Sequence, residues 1–161
     1  MACYALAEEP RFDVGTHVSE ALQIKPNTKV HWILRLRLGD EDPVALQWAV
    51  VVASLVPDVQ QSSLVPGGLT QLYEQHGIQR DRVSTVYCPT RASKSEATYL
   101  RVGTGAPLIE ERRVSYCRPG GRKELPYEYL LCLYPERVAL TFDWQDALTV
   151  AAPRRRGTAK S

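Results

Sequence analysis

Three features of this sequence predict an α+β fold built on an antiparallel sheet. Val30 to Leu38 alternates at a period of two. A turn cluster, Gly39-Asp40-Glu41-Asp42-Pro43, sends that stretch into a second apolar run over Val44–Val52. A helix, turn, strand and hairpin pattern also occurs twice along the chain.

In the first stretch Trp32, Leu34, Leu36 and Leu38 point one way and His31, Ile33, Arg35 and Arg37 the other. This is the pattern of a strand with one well-buried face and two arginines on the opposite one. The Gly, Asp and Pro cluster predicts a hairpin, so Val44–Val52 should return antiparallel. Before the hairpin, Met1–Arg11 has no clear periodicity and reads as an arm or linker, while Thr16–Leu22 suits a short helix capped by Thr16. After it, Pro57–Gly68 reads as loop, and Leu69, Leu72 and Tyr73 mark a two-turn helix that Gly77 stops. Arg82–Tyr87 reads as a strand. Ser93-Lys94-Ser95-Glu96 has the spacing of a capping box and starts a third helix, which ends near Leu100. Pro107–Cys117, Leu125–Tyr134 and a last short piece, Val138–Trp144, complete the predicted strands.

The duplication aligns Leu22 with Leu100, Ile24 with Val102 and Arg35 with Arg113, each followed by a hairpin. Chance likeness between two common α+β pieces is the competing reading.

The chain has 161 residues, enough for one domain with its own core. Twenty Lys and Arg against eighteen Asp and Glu leave +2, so no large field draws the body of the protein to nucleic acid. Cys3, Cys88, Cys117 and Cys132 form no Cys-x-x-Cys pair and no signal-peptide stretch precedes them, which favours free thiols in a reducing cytoplasm. The longest apolar run, Val44–Val56, is too short to span a bilayer, so no membrane partner is expected. His17, His31 and His76 lie in separate elements without ligand spacing, and no metal or cofactor is implied. Glu110-Glu111-Arg112-Arg113 reads as strand-edge charge, except that the repeat position of Arg113 suggests an inward, paired role. Arg154-Arg155-Arg156 and Lys160 form a short basic tail.

Arg35 and Arg37 share a face, and two guanidinium forks so placed suit a carboxylate, phosphate or phosphonate; the alternative is a pair of surface arginines on an exposed sheet. Several segments together resemble a known family. They are Ala21-Leu22-Gln23-Ile24, Arg35 through Ala45, Leu72-Tyr73, Gly105 through Tyr116, and Pro126-Tyr127-Glu128-Tyr129. Their order and spacing are similar to those of the UTRA domain, the effector-sensing domain of HutC-branch GntR-type transcription regulators. The most specific part is the Arg-x-Arg, turn, Pro unit combined with Pro-x-Glu-Tyr.

The resemblance implies a chorismate-lyase-like α+β fold, an antiparallel sheet with helices on one side. It also implies a small, anionic or polar metabolite as effector and a homodimer, for which Trp32 and Trp48 on the sheet would supply apolar edges. DNA would be reached only through a winged helix-turn-helix that nothing in this chain matches. The expected division is an arm over 1–11, the sensing domain over 12–144 and the basic tail over 145–161.

Carried over residue by residue, the resemblance places Arg35, Arg37, Gln47, Gln71, Tyr73 and Glu128 at the ligand. Gln47 stands where relatives often have a glutamate and Gln71 where phosphosugar-binding relatives have a serine, so a sugar-phosphate effector fits less well. Glu128 matches the family acid, as a ligand hydrogen-bond acceptor or as partner of an arginine. A chorismate-lyase-like enzyme using Arg37 and Glu128 is the alternative; no nucleophile with a neighbouring base is visible for it.

Overall fold

The computed structural model describes residues 3–6, 17–25, 27–57, 59 and 68–141. Among them a six-stranded antiparallel sheet runs in the order β1-β2-β3-β6-β5-β4, with β1 Cys3–Leu6, β2 Val30–Gly39, β3 Asp42–Val52, β4 Arg80–Arg91, β5 Pro107–Cys117 and β6 Leu125–Pro135. Three helices accompany it: α1 Ser19–Ala21, α2 Gly68–Gln75 and α3 Lys94–Leu100.

The sheet order is a palindrome, and the register shows why. β1, α1, β2 and β3 form one unit and β4, α3, β5 and β6 the other, joined through the β3–β6 pair. Arg35 pairs with Gln47 as Arg113 pairs with Leu130, and Val30 pairs with Val52 as Leu108 pairs with Pro135. The duplication extends to the outer strands, where Ala5 faces Arg35 as Thr85 faces Arg113. The arm expected over 1–11 therefore supplies an edge strand at Cys3–Leu6; the rest of it lies outside the described residues.

Local chemistry explains the elements. Asp40 (φ 48°) and Glu41 (φ 73°) make the two-residue hairpin turn between Gly39 and Asp42, with positive φ at both centres as such turns require. The capping box forms: Ser93 Oγ accepts from Glu96 N–H, and Glu96 Oε2 accepts from Ser93 N–H at 2.7 Å. Arg101, left-handed at φ 51°, ends α3. The Thr16 cap proposed for the first helix lies outside the described residues; what is described is the single turn of α1.

Both faces of the sheet are buried. Leu34, Leu46, Val50 and Leu131 pack with Val18 and Leu22 beside α1 and with Ala97 and Leu100 of α3. Ile33, Ala49, Val51 and Leu130 pack on the opposite face with Leu69, Leu72 and Tyr73 of α2. The expected helices on one side are α1 and α3, one from each copy; α2, the connector between copies, covers the other face. β2 accordingly buries both Ile33 and Leu34, and Trp32, expected inside, is 39% exposed, whereas Trp48 is buried at the sheet centre and offers no apolar edge.

No strand is found at residues 138–141, and 142–144 lie outside the described residues. The physical reason is that β6 is flanked by β3 and β5, so a following strand has no free neighbour there. The chain turns instead, and Arg137 donates to Leu100 O at 2.8 Å and Pro43 O at 2.6 Å, binding the end of α3 to the start of β3. Among the described residues no helix is long and apolar enough to cross a membrane.

Ser93→Ala removes the side-chain half of the capping box and should lower unfolding free energy by about 1 kcal/mol, measurable as a reduced urea midpoint at unchanged slope.

Candidate functional site

Alternation within the strands gathers polar residues on the face covered by α2. One cross-strand row reads Arg35, Gln47, Cys132, Glu111 from β2 to β5, and another reads His31, Val51, Glu128, Ser115. Arg37 lies one step beyond Arg35, opposite Ala45, and Arg113 stands opposite Leu130.

Glu128, 3% exposed, is the most heavily bound group. Tyr73 Oη donates to its Oε1 at 2.7 Å, Ser115 Oγ donates to its Oε2 at 2.9 Å, and Arg113 Nη2 stands 3.9 Å from Oε2. Glu111 accepts from Tyr134 Oη at 2.7 Å and lies 3.7 Å from Arg113 Nη1. Arg35 donates through Nη2 to Gln47 Oε1. α2 begins against that guanidinium: a Cβ on Gly68 would stand 3.6 Å from Arg35 Nη1, and Gly68 itself has φ 68°. The Nε atoms of Arg35 and Arg113, at equivalent positions of the two copies, and His31 Nε2 are buried without a hydrogen-bond partner among the described residues.

Burial, the nearby Glu128 charge and the hydrogen bond to it push the Tyr73 hydroxyl well above the usual tyrosine range. Burial also raises Tyr134, and it raises Tyr127, which meets the Tyr73 ring edge-on at 4.9 Å, to about 12. The Cys132 thiol between the rows is pushed up to about 12, chiefly by burial, and stays protonated. Such a face can hold charged and hydroxylated groups.

The sequence-derived set is therefore partly assembled. Arg35 meets Gln47, and Tyr73 meets Glu128. Arg37 shares the face, six residues along β3 from the Glu128 row, about 20 Å at ordinary strand rise. Gln71 is exposed on α2, while its neighbours Leu72 and Tyr73 are buried. Arg113 takes the inward, paired position that its repeat suggests. Glu110 and Glu111 are not edge charge: β4 covers β5, and both are 5% exposed, Glu110 holding Arg112 at 2.5 Å on the other face. Glu111, Ser115 and Tyr134 were absent from the sequence-derived set. The alternation Glu111, Arg113, Ser115 on one strand is the signal that marks the first two. His17 and His76 are exposed in separate elements, and among the described residues no cluster of His, Cys, Asp or Glu is placed to hold a metal ion.

The fold, taken with the family match, is that of an effector-binding regulatory domain. The chain matches the UTRA domain over residues 10–129 and belongs to that family. Solved structures similar to it include a GntR-family transcriptional regulator from Enterococcus faecalis V583, at 22% identity and TM-score 0.74, covering 89% of this chain and 100% of that one. The C-terminal domain of the histidine utilization repressor from Pseudomonas syringae pv. tomato str. DC3000 is 19% identical with TM-score 0.69, covering 90% and 99%. The C-terminal domain of Yurk from Bacillus subtilis subsp. subtilis str. 168 is 20% identical with TM-score 0.64, covering 74% and 81%.

The raised tyrosines set an alkaline limit. Unfolded tyrosine releases its proton near 10.0, whereas folded Tyr127 holds it to about 12 and Tyr73 and Tyr134 are also raised. Their contribution is complete below pH 10 and is lost as pH rises above it, because proton release then favours the unfolded chain. Urea midpoints should fall from about pH 10 upward, and Tyr73→Phe should flatten that slope while costing roughly 1.5–3 kcal/mol at neutral pH through the weakened support of Glu128.

Proposed function

We propose that this chain is the sensing part of a GntR/HutC-type regulator and that its effector is an anionic or polar metabolite bound on the α2-covered face. Arg35, Arg37, Gln47, Tyr73 and Glu128 contribute to the site, with Gln71 at its exposed rim. One observation carries this reading: on a buried sheet face, Arg35 keeps a buried Nε with no partner among the described residues while its Nη2 is turned to Gln47. A buried guanidinium so exposed to loss is costly unless a ligand completes it. The domain acts without catalysis. Glu128, the acid a lyase would use, already accepts from Tyr73 and Ser115.

The regulator works as a two-fold dimer in the cytoplasm and reaches DNA through a separate winged-helix domain, with effector binding shifting the dimer between two arrangements. Exposed Trp32, Val86 and Ile109 support association, and the thiols of Cys88, Cys117 and Cys132, free of disulfides, suit a reducing compartment.

A thermal-shift screen of organic acids, phosphates and phosphonates should give a clear hit, since a ligand at a hundredfold excess over its Kd adds about 2.7 kcal/mol to stability. Arg37→Ala should cost roughly 1.5–3 kcal/mol of that binding and leave the unliganded melting point nearly unchanged; unfolding by Arg37→Ala with affinity intact in Arg35→Ala would make the arginines structural. Light scattering at tens of micromolar should give the mass of a dimer, and a monomeric mass would remove the association step.

A further inference from the structure

The two edges of the sheet differ. β1 closes one edge with four residues, whereas β4 runs for twelve along the other, and among the described residues no strand pairs with its outer side. Only Thr85, Cys88 and Thr90 of β4 are even half-buried. Its middle, Val83-Ser84-Thr85-Val86-Tyr87-Cys88, holds no charge, glycine or proline. It therefore lacks the devices that keep a free edge from pairing, and it presents a row of backbone N–H and C=O groups as a template. Val83, Val86 and Tyr87 are 43%, 56% and 36% exposed, and Ile109 beside them on β5 is 39% exposed. Val83 and Tyr87 stand opposite Ser115 and Glu111 on the α2-covered face, and Val86 stands opposite Arg112 on the other, so apolar groups flank the edge on both sides.

We propose that this edge takes a second copy of the chain: β4 pairs antiparallel with β4 of its partner about a two-fold axis through Val86, giving one continuous sheet with six strands from each copy. This rests on the dimer reading above and assigns that dimer its surface. A two-fold axis that continues a sheet stands perpendicular to it, so facing residues lie on the same side and the axis passes through a residue. With the axis at Val86 the whole of 81–91 overlaps, the most exposed apolar side chain meets its own copy, Thr85 faces Tyr87 and Val83 faces Pro89. Asp81 at one end faces Arg91 at the other, twice by symmetry, and no like charges stand opposite. An axis at Thr85 sets Asp81 against Pro89, and one at Tyr87 sets Arg91 against Val83. That match of the strand to its own reverse commits the edge to a copy of itself rather than to a foreign strand. Asp81 also accepts from Arg118 at 2.6 Å and Arg91 donates to Gly105 O at 3.0 Å, so their opposition sets register and adds little energy. Both α2-covered faces then lie on one side of the joined sheet, and the partner subunit's Thr85 extends the row Arg35, Gln47, Cys132, Glu111, Tyr87 by one strand.

The test is disulfide trapping in the full chain. Cys88→Ser serves as background, with either Val86→Cys or Thr85→Cys added, and each protein is oxidised with glutathione disulfide and run on a non-reducing gel. Facing residues of antiparallel strands stand about 4.5–5.5 Å apart at Cα, within disulfide reach, whereas two copies of Thr85 would stand roughly 8 Å apart, beyond it. The expected result is a covalent dimer, reversed by reductant, that forms at least about tenfold faster through Val86→Cys than through Thr85→Cys. The remaining cysteines are common to both proteins and cancel in the comparison. Val86→Lys sets like charges at the axis and should turn the light-scattering mass from dimer to monomer with an unchanged far-UV circular dichroism spectrum. A dimeric mass that survives Val86→Lys, with Val86→Cys cross-linking no faster than Thr85→Cys, would overturn the β4 assignment while the dimer stood on another surface. Faster trapping through Thr85→Cys would overturn the register and its match of Asp81 to Arg91. A monomeric mass for the unsubstituted chain would overturn the dimer and its surface together.

Discussion

The β3–β6 pairing is the contact on which the rest of this domain depends. It joins two copies of one β-α-β-β unit edge to edge, and because the strands are antiparallel the copies are related by a local two-fold axis near Trp48 and Leu131. Everything that makes the domain more than two hairpins follows from that pairing. It produces a six-stranded sheet wide enough to be buried on both faces, and it places side chains from opposite ends of the chain in common rows. The row from Arg35 through Gln47 and Cys132 to Glu111 crosses all four inner strands.

The duplicated helices and the connector divide the labour between faces. α1 and α3 arise from equivalent places in the two copies, and both cover the face of Leu34, Leu46 and Leu131. That face is a conventional apolar core. The connector α2 has no counterpart in the duplication and covers the opposite face, where the inward positions are mixed: Ile33, Ala49 and Leu130 alternate with Arg35, Arg113, Glu111 and Glu128. Polar groups are retained there although burial makes them costly. α2 adds Tyr73 to them, which donates to Glu128.

Much of this was legible along the chain. The two hairpins, the capping box at Ser93, the helix at Leu69–Tyr73 and the duplication itself were readable because each rests on local chemistry or on self-similarity. Arg35, Arg37, Tyr73 and Glu128 could be singled out by strand alternation and by resemblance. Three readings failed for one shared reason: Trp32 as a buried residue, Glu110 and Glu111 as edge charge, and a closing strand after β6. Each depends on which strands are neighbours, and strand order is a non-local property that alternation within a segment does not carry.

The amino-acid sequence by itself determined the class of fold, the two copies, the turn and cap positions and the presence of paired arginines, because these follow from period, turn residues and short-range hydrogen bonding. Only the tertiary structure decided that Cys3–Leu6 is a strand, that α2 lies opposite α1 and α3, and that Glu111 ends the cross-strand row of Arg35 while Arg113 ends the row of Ile33. Those outcomes come from the antiparallel joining of two distant segments at β3 and β6. That register is set by which side chains both faces can bury together, so it exists only once the whole sheet has assembled.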